Sequence, residues 1–198
     1  MAEITSELIK TLREKTQAGM LDCKKALIEC DGDVEKAADF LRKKGLASAS
    51  KKMGRTASEG IIASYIHNNN KIGVLLELNC ETDFVARNDD FRELAKELCM
   101  QVAAANPLYV DIDDVPAEEL EREKSIYTDQ MKDSGKPAQV VEKIVEGKIK
   151  KYYSDVCLLE QEYIKEQKVI IRDLIKNKIA TYGENISVGR FIRFQIGG

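Results

Sequence analysis

The order of apolar and polar positions divides this 198-residue chain into short helical runs, a hairpin, further helices and a closing strand. Ile4, Leu8, Ile9 and Leu12 recur at helical spacing, and Gly19 follows the polar joint KTQA. Met20, Cys23, Lys24 and Leu27 mark a second helix, ended by the turn signal Asp31-Gly32. Asp33 is placed to cap a third, whose stripe is Val34, Ala37, Ala38 and Leu41. Gly45 stands where a glycine at C′ would end that helix. The pattern predicts a three-helix bundle over 1–45, small enough to bury only a thin core.

LASASKKMGRTASEG (46–60) follows as a connector or a loosely packed helix. IIASYIH and KIGVLLELN are β-type runs joined by Asn68-Asn69-Asn70, a residue type that tolerates positive φ. Helices are expected at about 90–105, about 117–133, from Pro137 to about Asp155, and near 169–180 ahead of Gly183. Val141, Ile144, Val145, Ile149, Tyr152 and Val156 form the stripe of the one that follows Pro137. In SVGRFIRFQIGG, Ile192, Phe194 and Ile196 alternate with Phe191, Arg193 and Gln195, as in a strand. The expected class is α+β: the bundle, then a core domain over 61–198 made of a small antiparallel sheet covered by helices.

The joint NCETDFVARNDDF (79–91) poses a choice. A single helix from Phe84 onward would put Phe84, Phe91 and Leu98 on one face and bury all three. Asn88-Asp89-Asp90, however, is a strong cap cluster, and Asp90-x-x-Glu93 resembles a capping box. That start near Asp90 would leave TDFVAR as a separate turn. The pattern alone leaves Phe84 either buried or presented.

Composition narrows the function more than the fold. Hydrophobic residues at 43% supply a core, charged residues at 33% point to a soluble protein, and no apolar run approaches the roughly 18–20 residues that cross a bilayer. The start, MAEITSELIK, carries Glu3 and Glu7 and resembles neither a signal nor a transit peptide. Five cysteines without C-x-x-C spacing suit free thiols in a reducing cytoplasm. Net charge is only −3 but unevenly spread. Arg42 to Arg55 holds six basic residues and no acid, whereas Glu77 to Glu123 holds fourteen acids against four bases. An acidic middle argues against direct nucleic-acid binding. The single histidine, His67, excludes multi-histidine metal sites and leaves a Cys-His pair as the only nucleophilic option, yet no cysteine sits in an electropositive context. No phosphate-cradling glycine motif is present. Paired acids at Asp89-Asp90, Asp113-Asp114 and Glu118-Glu119 suit first turns of helices. The chain is expected to be no enzyme and to need no cofactor.

TDFVARNDDF, with LELNCE before it, resembles the signature of the elongation factor Ts family, nucleotide exchange factors of the translational GTPase elongation factor Tu. LREKTQAGMLDCKKALIECDGDVEKAADFLRKKG resembles the family's N-terminal bundle, similar to ubiquitin-associated domains, and KKMGRTASEG its connector. SGKPAQVVEKIVEGKIKKYYSDVCLLEQ and GENISVGRFIRFQIG resemble its C-terminal stretches. The resemblance implies that the bundle packs on the nucleotide-binding domain of the GTPase through Arg13, Met20 and Leu21. It implies that Asp83 and Phe84 push towards the nucleotide's magnesium and phosphates, with Thr82 and Val85 shaping their turn. Longer members carry two related core halves, whereas this chain has one hairpin-helix core. It is similar to the short form, in which two chains pair as a homodimer and each supplies the other's missing half. SYIH resembles a stretch of the second half, which implies that His67 faces the GTPase, within one chain or across the dimer. A different reading, an adaptor whose bundle binds a peptide or ubiquitin-like partner through Met20-Leu21, predicts that residues 1–45 hold the whole activity.

Overall fold

The computed structural model describes residues 4–16, 18–132 and 137–197. Residues 1–3, 17, 133–136 and 198, which fall within the expected bundle, helix and core ranges, lie outside the described residues.

Three helices lead the chain: α1 (Ser6–Thr16), α2 (Met20–Glu29) and α3 (Val34–Lys52). Leu12, Cys23, Ala26, Leu27, Ala37 and Leu41 close a core of their own between them. Asp31 and Gly32 turn the chain with φ of 50° and 82°. The Asp33 carboxylate then caps α3, accepting from the backbone N–H groups of Glu35 and Lys36 at 3.0 Å each. Those donors, Lys36 foremost, hold its carboxyl below the usual carboxylate range.

Gly45 does not end α3. The helix runs on to Lys52, and residues 46–52 of the expected connector form its last two turns. Gly45 lies inside it against α8 (Ile171–Tyr182), where an added Cβ would come within 3.1 Å of the Ala180 methyl. A stop glycine and a close-contact glycine look alike in sequence, and here the absent side chain lets two helices approach. One turn further on, Ala49 is buried in the second core. α3 therefore lends residues to both cores.

That second core lies under a three-stranded antiparallel sheet, β1 (Glu59–Ile66), β2 (Ile72–Cys80) and β3 (Ile186–Gln195), in the order β1-β2-β3. At the hairpin tip His67 N–H donates to the Ile72 carbonyl at 2.9 Å, and Asn70 takes the positive φ (54°) that the asparagine triplet makes cheap. Alternation on β2 sends Val74, Leu76, Leu78 and Cys80 inward. They meet α5 (Asp89–Ala105), whose Phe91, Leu94, Leu98 and Val102 face the sheet, and α8 with Ile171, Ile175 and Ile179. Each such side chain contributes roughly 1.5–3 kcal/mol by leaving water.

The register of β2 with β3 shifts between Glu77 and Leu78, and Gly189 is the extra residue. Past this bulge the closing strand sends Phe191 to the core and aims Arg193 at α5. The Arg193 Nε and Nη2 groups each donate to the Ala103 carbonyl at 3.3 Å, satisfying the last turn of α5. Ile192 and Phe194 consequently face outward. With Ile62, Ile66 and Leu75 they make the outer face of the sheet apolar, and the cross-strand neighbours Leu75 and Ile192 stand at its centre.

α6 (Ala117–Asp129) and α7 (Ala138–Val156) pack on one another, and among the described residues Ile149 is the only buried one in either. The Glu119 carboxylate fastens them to the loop after α5 by accepting from the Tyr109 and Tyr152 hydroxyls, both at 2.6 Å. All three acidic pairs lie in first turns, as their spacing indicates: of α5, of a 3-10 turn at Ile112–Asp114 and of α6. Among the described residues no helix is long and apolar enough to cross a membrane.

Candidate functional site

The joint between β2 and α5 folds as a turn of its own. α4 (Asp83–Ala86) is four residues long, and Thr82 enters it in extended conformation (φ −129°, ψ 153°). The Asn88 side chain accepts from Asp90 N–H at 2.8 Å and starts α5 at Asp89. Asn88 is therefore the cap, and Asp90, expected to open a capping box with Glu93, sits inside the first turn instead. The new helix axis breaks the seven-residue register. Phe91 is fully buried, while Phe84 is 82% exposed.

The ring stands out because its neighbours are sunk. Val85 and Ala86 join the core at 5% and 7% exposure. Val85 offers almost no surface and acts as the anchor of the turn. The Asp83 carboxylate pairs with Arg87 one turn on, at 2.8 Å. Both groups are exposed, so that pair adds only about 0–1 kcal/mol.

A second constraint on the turn comes from far along the chain. Glu184 accepts from Thr82 N–H at 3.0 Å and from the Thr82 hydroxyl at 2.7 Å. Next to it, Asn185 N–H donates to the Glu81 carboxylate at 2.6 Å, and the Asn185 amide donates to the Arg55 carbonyl at 2.7 Å. The Cys80 thiol donates to the Thr82 carbonyl at 3.1 Å. Sequence reasoning missed Glu184. It stands 102 residues from Thr82, and only the fold brings the two together.

The other expected residues fall elsewhere. Arg13 is exposed in the last turn of α1. Met20 and Leu21 open α2 with 60% and 74% of their surface exposed, a pair of apolar side chains facing water at the head of the bundle. His67 is exposed at the hairpin tip, its Nδ1 3.0 Å from the Tyr65 hydroxyl. It lies at the opposite end of the nine-residue strand β2 from the Phe84 turn, a span of roughly 30 Å at about 3.3 Å per residue. Thr82 to Val85 are thus brought together in one turn, and His67 is not brought to them.

The chemistry available here is that of contact. Burial pushes the Cys80 thiol up, and the Cys99 and Cys157 thiols up to about 11, leaving each a poor nucleophile at neutral pH. All five cysteines are free thiols. His67 Nδ1 meets a phenol, the Tyr65 hydroxyl. Among the described residues no group of three His, Cys, Asp or Glu side chains could hold a metal ion.

Comparison with known proteins places the chain in a family. The family described as Elongation factor TS matches residues 3–198. Elongation factor Ts of Oleidesulfovibrio alaskensis is 62% identical over 197 residues, covering 100% of both chains. Those of Thermotoga petrophila and Fervidobacterium nodosum are 61% and 60% identical over 195 residues, covering 98% of this chain and 97% and 99% of theirs. A match that spans bundle, hairpin, turn and closing strand leaves one conclusion: the chain belongs to the elongation factor Ts family of translation elongation factors.

Proposed function

We propose that this chain binds the GDP form of elongation factor Tu and speeds GDP release by binding energy alone, with no covalent step. The observation that carries the reading is Phe84, an aromatic ring 82% exposed on a turn whose other apolar members are buried. A ring held away from its own core at that cost is suited to a pocket in another protein. Asp83 and Phe84 enter beside the bound magnesium and phosphates and favour a GTPase conformation that holds both poorly. Such coupling is reciprocal: GDP weakens binding of the exchange factor by the same factor. Burying one phenylalanine gives roughly 1.5–3 kcal/mol, a ceiling of about 10–150-fold on the weakening of GDP from Phe84 alone. The rest comes from the bundle through Arg13, Met20 and Leu21. The bundle (1–45), connector (46–60) and core (61–198) then act as successive parts of one binding surface, in the cytoplasm and without nucleic acid, membrane or cofactor.

The working form is a homodimer joined through the outer faces of two sheets. Ile62, Ile66, Leu75, Ile192 and Phe194 make that face apolar, and their exposure supports a second copy as its cover. Two sheets packed face to face about 10 Å apart give a self-complementary interface. The span of β2 between His67 and Phe84 favours His67 acting from the second protomer.

The experiment is release of fluorescently labelled GDP from elongation factor Tu, with and without this protein, alongside sedimentation of the protein alone. Acceleration that rises with concentration to a plateau supports the exchange reading. An unchanged release rate refutes it. A monomeric sedimentation coefficient at all concentrations refutes the dimer.

A further inference from the structure

A four-residue helix cannot hold itself. Nucleation fixes several dihedral angles for very few hydrogen bonds, so a turn this short takes its geometry from its surroundings. Inside α4 the backbone offers Ala86 N–H to the Thr82 carbonyl at 3.3 Å and Arg87 N–H to the Asp83 carbonyl at 3.1 Å. Val85 and Ala86 pin the turn from below. At its head the entry residue, Thr82, makes no side-chain cap of its own. Its hydroxyl and its N–H both go to Glu184 instead.

Glu184 is itself well placed. Gly183 ends α8 in the left-handed region (φ 75°), and Glu184 follows directly. Asn185 is gripped in return by Glu81, so residues 81–82 and 184–185 clamp each other. α8 packs against α3 at the Gly45–Ala180 contact. A physical line therefore runs from the bundle through α3 and α8 to the residue beside Asp83 and Phe84.

Building on the exchange reading above, we propose that Glu184 is a positioning residue for nucleotide exchange: its two-oxygen grip on Thr82 fixes the direction in which Asp83 and Phe84 meet the GTPase. Without it the ring remains exposed but samples several directions. Binding through the bundle persists, and the step driven by the ring slows.

The test is a double-mutant cycle read by labelled-GDP release from elongation factor Tu, separating the plateau rate from the half-saturating concentration. Glu184→Ala lowers the plateau rate about three- to tenfold, the range that loss of one or two hydrogen bonds allows, and moves the half-saturating concentration less than about twofold. Glu184→Gln, whose amide oxygen still accepts, recovers at least half of that loss on a logarithmic scale. In a Phe84→Ala background, Glu184→Ala has less than about a twofold further effect, because its route of action is already gone. Melting temperatures measured on the same samples show whether either variant has lost its fold, and Glu184→Gln carries the test if Glu184→Ala has. A parent-like plateau rate in Glu184→Ala, or an equal loss with and without Phe84, overturns the positioning role and leaves the exchange reading standing. A parent-like rate in Phe84→Ala alone overturns the role of the Phe84 ring while leaving exchange itself standing, and the role of Glu184 falls with the ring.

Discussion

Phe84 and Phe91 are the same residue type seven positions apart, a spacing that on one continuous helix would place them on one face. One is fully buried between sheet and helix, and the other is 82% exposed. What separates them is Asn88, whose side chain caps α5 and ends the register that would have carried Phe84 into the core. Phe91 serves the fold, packing edge-on against Tyr182 with ring centroids 6.3 Å apart. Phe84 is held by the fold while its ring contributes little to it. Two aromatic rings that hydrophobicity cannot tell apart thus take opposite places in the fold, one in the core and one in solvent.

Substitutions can break that contrast at several points. The largest effect belongs to Phe91→Ala, which leaves a cavity in the core and is expected to lower stability by about 3–5 kcal/mol. Chemical denaturation checks it, and the midpoint should move far to lower denaturant. Phe84→Ala should do the opposite: stability stays within about 0.5 kcal/mol of the parent, while GDP release slows by up to about 10–150-fold. Asn88→Ala removes the cap that divides the two rings. It should cost about 1 kcal/mol of stability and also slow exchange, because α4 and α5 lose their fixed angle; both readouts must move together. The smallest change is Arg87→Ala, which frees Asp83 from an exposed ion pair. It should alter stability by less than about 0.5 kcal/mol, and any effect on exchange should vanish at high salt.

Much of this arrangement is legible in the sequence because it is local. Asp33 caps α3, the asparagine triplet turns the hairpin, and Asn88 with its acidic neighbours opens α5, each through side chains within three residues of the groups they serve. Misreadings arise where one local signal has two tertiary meanings. Gly45 carries the mark of a helix end but is spent on contact with Ala180. The alternation in β3 shows a strand, yet the Gly189 bulge decides which set of residues faces inward, and it puts an arginine there and Phe194 outside. Glu184 gives no local sign at all. Its partner Thr82 lies just past the end of the neighbouring strand β2, and such pairings follow from topology alone.

Where the Phe84 ring goes when the GTPase is bound decides its role. Replacing Phe84 with a photoreactive phenylalanine analogue, irradiating the complex with GDP-bound elongation factor Tu and mapping the linked peptides locates it directly. The predicted product joins position 84 to the nucleotide-binding domain of the GTPase. Links formed only within the chain or to its second copy, with the GTPase complex intact, would contradict the account.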